Sequence, residues 1–484
     1  MGVHQFKILH KSLAVDIESG NFFETDDVIS DAIMLMPSHV KKEVEGKLSG
    51  KYPGRKLNGL IDKLYDLKKR RALFSPPCRK KEKLSRKITD LTLNITDHCN
   101  LRCKYCWNQA GTYGDSLSGG SKMRRETAFK AVDLLIKESG AAPDLVVDFY
   151  GGEPLANFSL IKDVVYYCKE INKKRKKKIN FRFLLATNGT LLSKEIGEFL
   201  IDNNVDIAVS LDGPQSIQDA QRPFLDGRGS FNTIMNNLRS LSKDYRKRIV
   251  GRATFTPYSM DVIKTFKFLS NLGFDRIEIC ESEKAGYGLE TDTQSFFCGK
   301  EGVEKLKGIY EKLAVFYTKG ILSGRLTYDN TYFNRFFKQL SRLYHIQSVV
   351  GTCSAGFSLM AVGQSGTIYP CTAFVGVPQF EIGSVDTGID EKKLNAFLNI
   401  RICSSKSCEK CWAKRICMGC GSCYNLNYFT GKDAKEPNPY YCELFRHKTK
   451  LMMGMIAEIS GKKNRLLDEV LIPEFYAARG RRKH

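Results

Sequence analysis

Three thiols within eight residues set the first chemical possibility. Cys99, Cys103 and Cys106 lie in the run Cys99-Asn100-Leu101-Arg102-Cys103-Lys104-Tyr105-Cys106. A short loop with this spacing can wrap its thiolates onto three irons of a four-iron cubane, and the fourth iron is then left open for chemistry. Zinc is the alternative metal, with His98 as a fourth ligand. A second group of thiols lies far downstream. Cys353 is followed by Gly366-Thr367-Ile368-Tyr369-Pro370-Cys371, then by Cys408, Cys411, Cys417, Cys420 and Cys423, and finally by Cys442. So many cysteines can ligate two further four-iron clusters, although the spacing alone leaves zinc open. Clustering of this kind in a reducing compartment points to metal ligation rather than disulfides. Cys78, Cys168, Cys280 and Cys298 stand alone and are assigned to packing or surface positions, and Cys403 stays unassigned.

The elements that must carry these groups are legible from patterning. The chain has 484 residues with 42% hydrophobic and 27% charged content, values typical of a folded globular protein of several domains. No apolar run is long enough to span a bilayer and the N-terminus lacks a secretory pattern, so a cytoplasmic location is expected. The net charge of +23 suits an acidic partner without choosing one. The basic run Lys173 to Lys178 reads as a solvated helix end, because no stacking aromatics are interleaved with it. Neither a membrane nor a nucleic-acid partner is expected.

Residues 88–284 alternate short apolar strands with helical segments: ITDLTLNI, DLVVDFYGG, FRFLLATNG, DIAVSLDG, GRATFTP and RIEICES. Six such units predict an α/β fold, a partial (β/α)6 barrel with a parallel sheet and its chemistry at the strand carboxyl ends. The polar motifs sit at those ends. The cysteine loop follows the first strand, Gly151-Gly152-Glu153-Pro154 the second, Thr187-Asn188-Gly189-Thr190 the third and Ser210-Leu211-Asp212-Gly213-Pro214 the fourth. Residues 1–78 read as a winged-helix-like module of three strands and three helices, with Asp26 and Asp27 as caps and Leu57, Leu60, Ile61, Leu64 and Leu67 on one helix face. Ser75-Pro76-Pro77 opens a charged linker. Residues 285–350 form a helical connector, 351–450 a cysteine-dense segment organised by metal as much as by a core, and 451–484 a C-terminal helix with a basic tail.

The loop CNLRCKYCW, with Tyr105 before its last cysteine, resembles the cluster-binding loop of the radical S-adenosylmethionine (SAM) superfamily. That resemblance implies a [4Fe-4S] cluster on Cys99, Cys103 and Cys106 whose open iron chelates SAM. Reductive cleavage then yields a 5′-deoxyadenosyl radical that abstracts a substrate hydrogen. Gly151, Gly152 and Glu153 resemble the motif that holds the cofactor's amino group. Read as residues, the glycines allow close backbone approach and the carboxylate can accept from an ammonium. Asn188, Ser210, Asp212 and Arg222 resemble positions near the ribose and carboxylate, and a capping or loop role is the alternative for each. A plain turn is the alternative for the Gly-Gly-Glu-Pro run.

The C-terminal cysteines, with Gly366 five positions before Cys371 and Trp412 after the Cys408–Cys411 pair, are similar to the SPASM extension of peptide-modifying radical enzymes. This implies Cys408, Cys411, Cys417 and Cys442 on an outer auxiliary cluster, and Cys353, Cys371 and one or both of Cys420 and Cys423 on an inner one. The chain departs from the usual pattern in having Gly421 where a cysteine is expected. With one of that pair bound, the inner cluster would have room for a substrate thiolate. The N-terminal module resembles the recognition element that holds the leader of a ribosomally made precursor peptide, an added strand on its edge giving the affinity. A structural cap is the alternative. The whole implies three [4Fe-4S] clusters, SAM, an electron donor such as flavodoxin or ferredoxin, and a peptide maturase forming a thioether to cysteine. Carbon–carbon crosslinking and sulfatase-maturase-like Ser or Cys oxidation use the same parts. A radical enzyme acting on transfer RNA and a zinc-binding adaptor are the readings from other classes.

Overall fold

A computed structural model describes residues 2–53, 57–77, 86–106, 121–274, 276–282, 299–326, 353–399, 405–417 and 437–462. Cys78, Cys298, Cys403, Cys420, Cys423 and the basic end of the chain lie outside them.

The N-terminal strands β1 (Val3–Ile8), β2 (Lys11–Asp16) and β3 (Phe22–Thr25) form an antiparallel sheet in the order β1-β2-β3. Leu9 and His10 make a two-residue hairpin with φ of 47° and 64°, the handedness that matches strand twist. Helix α1 (Asp27–Leu35) starts where Asp26 accepts from the Ile29 N–H at 2.8 Å, as its sequence predicts. Helices α2 (Lys41–Lys51) and α3 (Leu57–Lys69) follow. Ala14 of β2 faces these helices in a core with Val28, Ile33, Leu48 and Ile61. Leu13 and Val15 face the other way, into the main core of the molecule. The module extends past its last helix: Leu73 and Phe74 are buried in it, and the Ser75 N–H bonds Asp16 Oδ2 at 3.0 Å. The packed part of the module therefore reaches Ser75, and Pro76 and Pro77 beyond it are exposed.

Six strands then pair in parallel and in chain order: β4 (Asp90–Thr96), β5 (Asp144–Gly151), β6 (Asn180–Thr187), β7 (Val205–Ser210), β8 (Val250–Phe255) and β9 (Arg276–Glu281). Helices α4 (Arg125–Glu138), α5 (Phe158–Lys174), α6 (Lys194–Asp202), α7 (Gln215–Gln221), α8 (Phe231–Ser240), α9 (Lys243–Lys247) and α10 (Val262–Asn271) fill the connections. An order that never reverses, with right-handed crossovers, keeps every helix on one face and curls the sheet into part of a barrel. Alternation in β5 shows the division. Leu145, Val147 and Phe149 are fully buried in the core, whereas Val146, Asp148 and Tyr150 look into the barrel. Lys173 to Lys178 end α5 and start an exposed loop, the solvated helix end that their composition implied.

Helix α11 (Lys300–Leu322) is the described part of the connector. Beyond it the segment expected to depend on metal has regular structure of its own. Strands β10 (Leu359–Val362), β11 (Thr367–Tyr369), β12 (Gly383–Ser384) and β13 (Gly388–Ile389) precede helix α12 (Glu391–Asn399). Strand β10 pairs in parallel with β4, Met360 beside Leu91 and Val362 beside Leu93, so the barrel and the cysteine-dense segment share one ten-stranded sheet. These short strands escape a sequence reading because each is only two to four residues long. The last helix among the described residues, α13 (Pro439–Lys462), runs straight through the boundary expected at residue 450. It packs along α11 and across the N-terminal sheet. No helix among the described residues is long and apolar enough to cross a membrane.

Where α13, α11 and β9 meet, Lys448 Nζ lies 3.4 Å from Glu281 Oε1 and 3.1 Å from the Tyr310 hydroxyl, which donates to Glu281 Oε2 at 2.7 Å. Lys448 is 5% exposed and Glu281 7%. Removing one partner of such a buried pair leaves the other uncompensated. Lys448→Ala should therefore destabilise the chain by on the order of 3 kcal/mol, read as a lowered midpoint in urea unfolding, with Lys448→Met less damaging than Lys448→Ala.

Candidate functional site

The cysteine loop leaves the carboxyl end of β4 and is clamped on both sides by backbone. On one side Gly152 N–H bonds Thr96 O and Glu153 N–H bonds His98 O, each at 2.8 Å. On the other, Arg102 N–H bonds Pro223 O at 2.8 Å and Lys104 N–H bonds Gln221 O at 2.9 Å. Leu101 is fully buried between them, and the Arg102 guanidinium bonds the carbonyls of Cys99 and Leu101 at 2.8 and 2.9 Å. The two glycines are required by this clamp. Gly151 has φ +136° and a Cβ there would meet Thr96 O at 2.1 Å; at Gly152 it would meet His98 O at 2.3 Å. Their close approach is thus to the cysteine loop itself.

Glu153 is likewise turned to the frame. It is 1% exposed and accepts from Leu155 N–H at 3.0 Å, Thr187 Oγ1 at 2.6 Å and Asn188 N–H at 2.7 Å. Burial raises its pKa, against the pull of these three donors. With three bonds made inside the protein, the carboxylate organises the loop after β6 and has little capacity left for an ammonium. Asn188 passes the order on. Its Nδ2 donates to Asn100 Oδ1 at 2.9 Å and lies 3.9 Å from the Cys99 sulfur, while its Oδ1 accepts from Thr190. Asn100 closes the ring by donating to Thr190 Oγ1 at 2.8 Å.

The opposite flank is charged. The Tyr105 hydroxyl donates to Asp212 Oδ2 and accepts from Arg222 at 2.7 Å, and Arg222 lies 3.7 Å from Asp212 Oδ1. Asp212 also accepts from the Thr254 N–H at 3.0 Å. Burial holds the Asp212 carboxyl above its usual range, opposed by Arg222, and pushes the Tyr105 phenol well up. Ser210, the last residue of β7, is half-buried nearby in sequence. Burial also pushes the Cys99 thiol up to about 11 and the Cys103 thiol up to about 12. A metal must displace those protons to bind, and the Arg222 charge beside Cys103 favours the thiolate. The donor set fits a cluster with an anionic co-ligand. Cys99, Cys103 and Cys106 would hold the irons, and the buried Arg222 Nε, which has no hydrogen-bond partner among the described residues, offers a donor to a carboxylate.

The downstream thiols gather around a second, smaller core. Cys371 and Cys408 pack on the cluster of Tyr369, Phe374 and Phe380, together with Tyr441, the neighbour of Cys442. Gly356 N–H bonds Pro370 O at 3.0 Å and so brings the turn after Cys353 to Cys371. Cys353, Cys371, Cys408, Cys411, Cys417 and Cys442 are all half-buried thiols. Cys168 and Cys280 are buried, as packing residues should be.

Sequence reading missed the structural partners Asn100, Thr187 and Thr190 as a set, because their contacts join loops far apart in the chain. It also passed over Asp148 on β5. Burial pushes this carboxyl from 3.8 to about 7, against the pull of Arg252. A charge at an alternate position of an otherwise apolar strand was the available signal.

Two outcomes follow from this geometry. Gly152→Ala should displace the cysteine loop and lower by roughly 100-fold any turnover that depends on a metal it holds, since a shift of about 1 Å is that costly; iron bound per chain after anaerobic reconstitution gives a second readout. Asp148 binds a proton in the folded chain at pH values where the unfolded chain has lost it. Its stabilising contribution is full below about pH 4 and lost by about pH 7, so Asp148→Asn should flatten the fall in stability across that window in urea titrations.

Residues 93–278 match the Radical SAM superfamily. The cysteine-type anaerobic sulfatase-maturating enzyme of Clostridium novyi is 23% identical over 368 residues, covering 72% of this chain and 91% of that protein. The radical SAM cyclopropyl synthase TigE of Paramaledivibacter caminithermalis is 23% identical over 308 residues, 60% of this chain and 58% of TigE. Among solved structures, native anSMEcpe with bound AdoMet aligns with a TM-score of 0.63 at 22% identity, over 77% of this chain and 99% of that one. The parallel strands, the clamped three-cysteine loop after the first of them and the superfamily match coincide on one region: residues 93–278 are a radical SAM domain.

Proposed function

We propose that this enzyme matures a ribosomally made precursor peptide by joining a cysteine sulfur to a carbon of the same peptide. The radical SAM domain implies SAM and one [4Fe-4S] cluster, and together they supply one-electron hydrogen abstraction when bound. Around that chemistry the protein's own groups divide the work. Cys99, Cys103 and Cys106 hold the cluster, Arg222 and the Tyr105–Asp212 pair set the charge of the SAM pocket, and the Glu153–Asn188–Asn100 network keeps the loop fixed. In the proposed reaction a C–H hydrogen leaves as an atom, the thiol loses its proton to a base, and one electron is withdrawn as the C–S bond closes. The product is lighter by two hydrogens. The auxiliary cysteines are the proposed seat of the electron acceptor: Cys408, Cys411, Cys417 and Cys442 for one cluster, and Cys353 and Cys371 with Cys420, Cys423 or both for the other. A flavodoxin or ferredoxin is the proposed donor.

The observation that supports a peptide substrate is the N-terminal sheet. Its edge strands β1 and β3 pair only with β2 among the described residues, so a peptide can add as a further strand. Lys63, Lys68 and Lys69 on α3 favour an acidic leader. The second reading, oxidation of a protein Ser or Cys, is favoured by the 91% coverage of the sulfatase-maturating relative.

Anaerobic reconstitution should give roughly twelve irons per chain and reduction should release 5′-deoxyadenosine, which a triple Cys99, Cys103 and Cys106 to Ala change abolishes. Coexpression with a small cysteine-containing reading frame beside the gene should yield a peptide two hydrogens lighter per crosslink and inert to hydrazide. An aldehyde trapped by hydrazide would instead establish the second reading, and an unchanged peptide mass with active enzyme would refute both.

A further inference from the structure

The run that bears Cys408, Cys411 and Cys417 has little regular structure. A single helical turn, Lys406–Glu409, is followed by turns in which Lys414 N–H bonds Cys411 O at 3.2 Å and Cys417 N–H bonds Ala413 O at 2.8 Å. Beside the packing of Cys408 on the second core, the run makes contacts to the opposite end of the sequence. The Trp412 ring lies on His4 of β1, with centroids 4.7 Å apart at 14°, and against Phe6 at 5.9 Å. Lys450 of α13 closes this group, 5.0 Å from the Phe6 ring centre and 5.6 Å from that of Trp412. Next along the run, Lys414 and Arg415 both pair with Glu18 of the turn after β2, Arg415 at 3.0 Å. The Glu18 side chain is 9% exposed.

We propose that Trp412, Lys414 and Arg415 are positioning residues that seat the Cys408–Cys417 loop on the N-terminal module, so that the module fixes the geometry of the proposed auxiliary site as well as receiving peptide. The auxiliary-site part rests on the function proposed above; the mechanical link does not. The stack carries more of the attachment than the ion pairs, because Lys414 and Arg415 keep part of their surface in water, which screens their pull on Glu18, whereas aromatic faces bring both area and orientation. His4 supports this order. Its buried Nε2 has no hydrogen-bond partner among the described residues, so packing on Trp412 holds the ring, and a Phe can take its place.

The link is read in the full-length chain, reduced and stripped of metal, by a short pulse of iodoacetamide with alkylation mapped at each cysteine by mass spectrometry. Trp412→Ala should raise the rate at Cys408, Cys411 and Cys417 roughly tenfold through local opening, with Cys99 and the core residue Cys168 unchanged. Glu18→Gln should give a smaller rise at the same three sites, and Trp412→Phe and His4→Phe should stay near the parent rate. Equal rates in the parent and Trp412→Ala overturn the proposal. If Trp412→Ala also exposes Cys168, the variant has unfolded, and Glu18→Gln decides by the same criterion. In the reconstituted protein Trp412→Ala should lose about four irons or shift the midpoint potential of one cluster, with Trp412→Phe restoring it. Faster alkylation with an unchanged iron count and potential would keep the link and overturn the part of the proposal in which the module fixes the geometry of the auxiliary site.

Discussion

Backbone against backbone, with no space for a Cβ between, is the contact on which the site rests. Where β5 ends, Gly151 and Gly152 lie directly on the carbonyls of Thr96 and His98. A loop of three thiols has no regular structure to hold it, and its entropy would scatter the sulfurs. Continuing the β4–β5 pairing for two more residues ties down its start, and the segment Gln221–Leu225 ties down its middle. The cysteines are thereby placed at the carboxyl edge of the sheet, where every connection of the barrel opens.

A second layer makes the clamp rigid. Glu153, Thr187, Asn188, Asn100 and Thr190 form a connected set of buried hydrogen bonds that joins the ends of β4, β5 and β6. Inside low dielectric such networks are strong when satisfied and costly when broken. Across the loop the Arg222 cation faces the sulfurs, the phenol and Asp212. The site therefore has a wall of mutually bonded polar groups on one side and the Arg222 cation on the other, an arrangement suited to an anionic ligand that must be both oriented and balanced.

The barrel, the cysteine-dense segment and the N-terminal module are one packed body. Strand β10 pairs with β4, α13 crosses from α11 to the N-terminal sheet, and Trp412 stacks on β1. Strand β2 shows the consequence in its composition: Leu13, Ala14 and Val15 are all fully buried, because helices cover both faces of the sheet. The N-terminal module, the radical SAM domain and the downstream cysteines are in this way mechanically joined.

The sequence by itself determined the six parallel strands, the three-strand, three-helix order of the N-terminus and the three-thiol loop. Each of these is local: a strand shows as a short apolar run, a helix as a period and a cap, and a ligand loop as a spacing. Cys99, Cys103 and Cys106 stand out in the sequence because the spacing of a ligand loop is a property of neighbours. Tertiary structure alone decided what Gly152, Glu153 and Asn188 do. Their partners lie tens of residues away, and the same residue types would suit a bound ammonium or a protein frame equally well. It also decided the pairing of β10 with β4 and the contact of Trp412 with His4, since short strands and single aromatics carry no periodic signal and acquire a role only when packing brings distant segments together.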